Sequence, residues 1–174
     1  MKEEKICKDL TFNDCELAIL RMAVDKAGEK MGKRMVESDA VKNIIQIVEN
    51  FIKKKGLICY GGTAINNILP KYEQFYNKDI EIPDYDFFSV NAMNDAIELA
   101  DLYFKHGFQD VEAKAGSHHG TYKVYVNFIP VADITFIPKE IFNALKKDAI
   151  QVAGIKYAGP NFLRMGMYLE LSRP

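Results

Sequence analysis

Asp84 and Asp86 stand two residues apart in Pro83-Asp84-Tyr85-Asp86-Phe87-Phe88-Ser89. Successive side chains of an extended strand point to opposite faces, so the two carboxylates project from one face while Tyr85 and Phe87 project from the other. Neighbouring carboxylates repel unless a cation sits between them. Upstream, Leu57-Ile58-Cys59-Tyr60-Gly61-Gly62-Thr63-Ala64-Ile65-Asn66-Asn67 reads as a short buried strand running into a Gly-Gly turn and a helix. Glycine lets the backbone approach phosphate oxygens, and a helix start favours anions. A phosphate chain and a divalent ion are thus expected to meet here. A third acid, Asp133, lies among Val131, Ala132, Ile134 and Phe136. Unpaired in such surroundings, it would cost several kcal/mol, so it needs a cation or strong donors. Three carboxylates at one sheet end can hold two magnesium ions. A solvated turn would explain Asp84 and Asp86 alone, and a structural hydrogen bond Asp133 alone; the Gly-Gly turn upstream favours the joint reading. No Gly-Lys-Ser/Thr follows the glycines, which disfavours a P-loop ATPase.

The elements that must position these residues belong to a chain of ordinary globular balance. Its 174 residues suit one domain, and 48% hydrophobic with 27% charged residues can fill a core. A net charge of -1 argues against a broadly basic surface, so a nucleic acid would need a local patch or parts outside this chain. Apolar runs fall short of the ~18 residues of a membrane span, and Met1-Lys2-Glu3-Glu4-Lys5 lacks a signal-peptide core. A soluble intracellular protein is expected. Cys7, Cys15 and Cys59 show no pairing pattern, so free thiols are expected.

In chain order, residues 1–12 read as frayed. Asn13 or Asp14 is expected to cap a helix with Leu17, Leu20, Val24, Ala27 and Met31 at helical spacing, running toward Met35. Ser38 caps a second, with Val41, Ile44, Ile45, Val48 and Ile52 as its stripe and Lys53-Lys54-Lys55-Gly56 as its end. Pro70 stops the helix that starts near Thr63, and residues 71–83 read as an exposed connection. A helix capped by Asn91 spans Ala92 to Phe104; strands follow at 108–114 and 121–129 about a turn carrying His118 and His119. Pro130 is expected to interrupt the ladder before the Asp133 strand. Pro138 opens a helix to about Lys147, and Pro160 another. His118 and His119 read as an exposed hairpin tip, and Lys139, Lys146 and Lys147 as a solvated face. Lys123 reads either as an exposed strand lysine or as a contact to phosphate or primer. Asn66 and Asn67 read as phosphate donors or as solvating a short helix. The class expected is α+β (or α/β), with helices around a small mixed sheet.

Gly61-Gly62-Thr63 after a strand, Asp84-x-Asp86, and a third acid in a later strand resemble the nucleotidyltransferase superfamily with the DNA polymerase β type of palm. The flanking stretches, including Gly120-Thr121-Tyr122-Lys123-Val124 and Asn127-Phe128-Ile129-Pro130-Val131-Ala132-Asp133-Ile134-Thr135, are similar to poly(A) polymerase catalytic subunits of large nucleocytoplasmic DNA viruses. The resemblance covers roughly residues 35 to 174.

It implies that Asp84 and Asp86 coordinate both metals and that Asp133 holds the one acidifying the primer hydroxyl. Gly61, Gly62 and Thr63, with Asn66 and Lys123, would bind the nucleotide. The implied reaction is template-independent transfer of AMP from ATP to an RNA 3′ end, with two Mg2+ or Mn2+ ions and release of pyrophosphate. A nucleotidyltransferase acting on a small molecule or protein is the alternative, as is a non-catalytic fragment of the fold. The implied organisation is an N-terminal helical segment over 1–37, the catalytic domain over 38–159, and a helix over 160–174 leading toward a second domain. Because that helix is apolar on much of its circumference, an exposed hydrophobic patch is expected around it. The implied partners are ATP and RNA, with no membrane, and with self-association or a processivity partner. The implied setting is the cytoplasm of an infected cell, or the virion.

Overall fold

Ile44, Ile47, Val48, Phe51 and Ile52 line one side of a helix, and burying each aliphatic or aromatic side chain there contributes about 1.5–3 kcal/mol. The computed structural model describes residue 7 and residues 10–77 and 79–172. The fraying expected of residues 1–6, 8 and 9 lies outside the described residues, as does the side chain of Met35. The helices are α1 (Phe12–Glu37), α2 (Asp39–Lys55), α3 (Gly61–Ile68), α4 (Ala92–Lys105), α5 (Lys139–Lys147) and α6 (Pro160–Leu171). The strands are β1 (Ile58–Tyr60), β2 (Tyr85–Ser89), β3 (Val111–Ala115), β4 (Thr121–Val126), β5 (Ile129–Phe136), β6 (Ile150–Val152) and β7 (Ile155–Tyr157). They form one mixed sheet in the order β3-β4-β5-β2-β1-β7-β6, in which β2 runs parallel to β5 and β1 to β7. The class is α+β, as expected.

By contacts the chain divides into two units, one comprising residues 1–41 with 77–82, the other 42–76 with 83–174. In the first, the Thr11 side chain accepts the Asp14 N–H at 3.3 Å and donates to the Asp14 carboxylate at 2.6 Å, so the cap of α1 lies just ahead of the expected Asn13 or Asp14. Ser38 accepts the Val41 N–H at 3.2 Å, the expected cap of α2. Cys7 and Cys15 are joined in a disulfide, which corrects the expectation of free thiols; Cys7 lies ahead of α1 and Cys15 in its first turn, so the bridge ties the approach segment to the helix, a pairing that the spacing of eight residues does not announce. Cys59 is free and buried.

In the second unit, α2 and α4 cover the face of the sheet that carries Tyr85, Phe87, Val124, Val126, Ala132 and Ile134. Tyr103 donates to the Ile44 carbonyl at 2.8 Å, and Tyr85 to Glu49 at 2.6 Å, so both buried phenols have partners. Lys55 pairs with Asp95 at 2.6 Å and Glu98 at 2.5 Å, tying the end of α2 to α4. Asn91 precedes α4 but makes no side-chain cap bond; its N–H is held by the Ser89 hydroxyl at 2.8 Å. Two hairpins depart from the expected strand boundaries. Asn127 and Phe128, both at positive φ, turn β4 directly into β5, so Pro130 lies inside β5 opposite Tyr125 rather than interrupting the ladder. Beside it the ladder shifts register between Val124 and Tyr125, as a bulge accommodates a residue without an N–H. Ala153 and Gly154 make a second such turn between β6 and β7, a hairpin the sequence reading did not assign.

The helix beginning at Pro160 forms as expected, with Phe162 and Leu163 turned inward. Met165, Met167, Tyr168, Leu169 and Leu171 are each at least half exposed, which makes the apolar surface anticipated there. Among the described residues no helix is long and apolar enough to cross a membrane.

Candidate functional site

Four strands carry a single row of polar residues. Tyr60 on β1 is the register partner of Asp86 on β2, Asp86 of Asp133 on β5, and Asp133 of Lys123 on β4. Registered neighbours point to the same face, so the row stands on the side of the sheet opposite the α2–α4 core. Asp84, two residues before Asp86, joins the same face at the head of β2. The three acids expected at one sheet end are neighbours because β2 pairs in parallel with β5.

Desolvation first, then the charges of Asp84 and Asp133, push Asp86 up to about 7, with Lys123 opposing. Asp84 is raised in the same way, by desolvation and then by Asp133, although the residue as a whole is exposed. Lys123 forms an ion pair with Asp133 Oδ2, which holds the ammonium above its ordinary range. Asp133 Oδ1 is buried without a hydrogen-bond partner. Among the described residues no group of three or more His, Cys, Asp or Glu is already placed to hold a metal ion. The acids share one face, with Lys123 among them.

The Gly-Gly turn lies against this row. Gly61 has φ +73°, and a Cβ there would overlap the Asp86 carboxylate, so both the backbone conformation and the space demand glycine. At Gly62 a Cβ would meet the Tyr76 hydroxyl, the movable end of a side chain. Gly61→Ala is therefore expected to lower stability by at least about 1 kcal/mol and to displace Asp86, with Gly62→Ala markedly milder. Thermal melts of the two variants check this; equal melting temperatures would contradict the close approach. No side chain caps α3, so its first N–H groups remain open to an incoming anion.

Two expected nucleotide ligands are otherwise engaged. The buried Thr63 donates its hydroxyl to the Asp84 carbonyl at 2.7 Å, so its visible work is to fix the acid strand against α3. Asn66 was expected to reach phosphate or to solvate α3. It is instead buried, and its side-chain oxygen accepts the N–H groups of Phe75 and Tyr76 at 2.8 and 2.9 Å, because the connection after Pro70 folds back over the helix. His118 and His119 lie exposed at the hairpin tip, as expected.

Several site residues escaped sequence reading. Tyr60 stacks on Phe88 at 4.0 Å and shares a 2.8 Å hydrogen bond with Thr135, which in turn bonds Thr121 at 2.9 Å. This chain of hydroxyls borders the acids. Burial pushes the Tyr60 phenol up to about 12, and the Thr135 hydrogen bond opposes that rise, so the phenol stays neutral beside the carboxylates. The available signal was positional: a tyrosine immediately before the glycines, on a strand next to the acids.

A family profile described as "Poly(A) polymerase catalytic subunit" matches residues 46–174. A protein of African swine fever virus (Badajoz, Vero-adapted strain), named as a poly(A) polymerase catalytic subunit, is 34% identical over 142 residues, covering 82% of this chain and 30% of that protein. A protein of the same name from Acanthamoeba polyphaga mimivirus is 31% identical over 163 residues, covering 90% of this chain and 26% of its own length. The crystal structure of the Megavirus polyadenylate synthase superposes with a TM-score of 0.78 at 28% identity, covering 92% of this chain and 33% of that chain. This chain thus spans a third or less of the length of the relatives it matches.

Proposed function

The chain belongs to the poly(A) polymerase catalytic subunit family, and from that premise we propose that it carries the catalytic face of a template-independent polynucleotide adenylyltransferase. In the reaction an RNA 3′ oxygen attacks the α-phosphorus of ATP, the bond to the bridging oxygen of the β-phosphate breaks, and pyrophosphate leaves. The observation that carries the reading is the register of Asp86 with Asp133, with Asp84 beside them and the Gly61-Gly62 turn against the row.

The residues present fit hard divalent cations such as Mg2+ or Mn2+: three carboxylates supply oxygen ligands, and the protein leaves the Asp133 carboxylate only partly satisfied, with Lys123 on Oδ2 and no hydrogen-bond partner on Oδ1. When bound, such ions would offset phosphate charge and acidify the attacking hydroxyl. Asp84, Asp86 and Asp133 would hold them. The open N–H groups at Gly61 and Gly62 would orient the triphosphate, and Thr63 would keep that turn and the acid strand in fixed relation. Alignment and charge neutralisation supply the rate, with no protein group reacting covalently.

The test incubates the chain with an oligo(A) primer, Mg2+ or Mn2+, and each nucleoside triphosphate in turn. Primer extension with ATP supports the reading. Labelled AMP appearing on protein or on a small acceptor, with no extension, would replace it with the adenylylating alternative.

A further inference from the structure

Lys123 stands where the chemistry of the acid row calls for a cation. Its Cα faces that of Asp133 across β4 and β5, and its Nζ pairs with Asp133 Oδ2. Asp86 is the next member of the same row, and the Lys123 charge reaches Asp84 and Asp86 as well as Asp133. The other oxygen of Asp133 is buried, so an ion arriving from solvent meets first the oxygen that Lys123 already holds. The lysine side chain is 32% exposed against 16% for Asp133, which leaves it an open way out. Lysine also suits a transferable contact: its charge sits on a flexible four-carbon stem, whereas an arginine fork would grip the carboxylate at two points.

We infer that Lys123 is a displaceable counter-ion of the acid row, holding Asp133 until a divalent ion arrives and giving up that oxygen when the ion binds. Two consequences oppose each other. Before loading, Lys123 offsets repulsion among three carboxylates and so stabilises the fold. During loading it competes, because a unit positive charge a few ångströms from the incoming ion repels it and occupies one of its ligands. A lysine that merely steadied Asp133 as a metal ligand would have the contrary effect on affinity, since its loss would leave the ligand misplaced. Once released from Asp133, the ammonium remains on the face where the triphosphate is proposed to lie, so the charge that opposes the bare ion would favour the ion with its nucleotide.

The inference rests on the proposed reading of Asp84, Asp86 and Asp133 as metal ligands, and the test separates the two. Mn2+ alone, without nucleotide, is titrated into wild type, Lys123→Met and Lys123→Arg while free Mn2+ is followed by electron paramagnetic resonance; melting temperatures are measured in chelator. Lys123→Met is expected to bind Mn2+ roughly ten-fold tighter than wild type and to melt lower in chelator, whereas Lys123→Arg binds no tighter than wild type. Equal or weaker Mn2+ binding by Lys123→Met, with wild type binding normally, overturns the counter-ion role alone. Wild type that takes up no Mn2+ overturns the ligand reading and this inference with it. Should Lys123→Met not fold, reductive 13C-methylation of wild-type lysines gives a second readout, with the Lys123 resonance assigned by its loss in Lys123→Arg. That resonance should move toward the solvent-exposed lysines as Mg2+ is added, and a stationary one overturns the inference.

Discussion

Asp86→Ala is expected to remove nucleotidyl transfer by more than about a hundred-fold, and Asp84→Ala and Asp133→Ala by similar factors, with the fold retained. Loss of a partner one step removed from a bound ion already costs roughly 10–100-fold, and each of these acids is proposed to touch the ion itself. The expectation of a retained fold rests on where they stand. The sheet is held from its opposite face by Tyr85, Phe87, Ala132 and Ile134, none of which changes. Asp133→Ala leaves Lys123 without its ion pair, but that side chain can turn to solvent. Primer extension assays, with circular dichroism of each variant, check the prediction. Any one of the three retaining most of the wild-type rate would remove that residue from the proposed ligand set.

The parts of this site that were legible in the sequence are those fixed by local geometry. Asp84 and Asp86 share a face because strands alternate. The two glycines mark a turn because Gly61 adopts a positive φ against the Asp86 carboxylate. Pro70, Pro138 and Pro160 bound helices where a ring can and cannot sit. What was not legible depends on pairing between distant strands. Nothing in a single segment states that β2 will run parallel to β5 with Asp86 opposite Asp133, or that Lys123 will be the next residue in that row. Tyr60, Thr135 and Thr121 were missed for the same reason. Asn66 shows the converse case: a polar residue on a short helix beside a phosphate-binding turn suggests a ligand, yet the connection from Pro70 to Tyr76 returns to claim its side-chain oxygen. The turn at Asn127 and Phe128 was hidden because a phenylalanine at positive φ is uncommon, and the apolar run around it reads as continuous strand.

Asp86→Asn is expected to make the metal-free protein more stable, by an amount that depends on pH in a definite direction. The folded-state pKa of Asp86 is pushed up to about 7 by desolvation and by the Asp84 and Asp133 charges, against ~3.9 for an unperturbed aspartate. Between those values the folded protein holds a proton that the unfolded chain has lost, so stability falls as pH rises through the interval. Below about pH 4 the group costs nothing, and above about pH 7 its whole penalty is present. A shift of this size corresponds to about 2–4 kcal/mol once partial solvent screening is allowed for. At about 2–4 °C per kcal/mol for a chain of this length, the variant should melt roughly 4–15 °C above wild type in chelator at pH 8 and close to it at pH 4.5. Asparagine preserves the shape that Gly61 packs against, so removal of charge is the principal change. Adding Mg2+ with ATP should reverse the order, because a ligand that binds only the folded state stabilises in proportion to its affinity, and wild type keeps the full carboxylate set. Melting curves from pH 4.5 to 8, with chelator and then with Mg2+ and ATP, check both halves. A difference between variant and wild type that stays constant across that pH range would mean that Asp86 carries no charge penalty in the folded protein, and the crowding of the acid row would have to be given up.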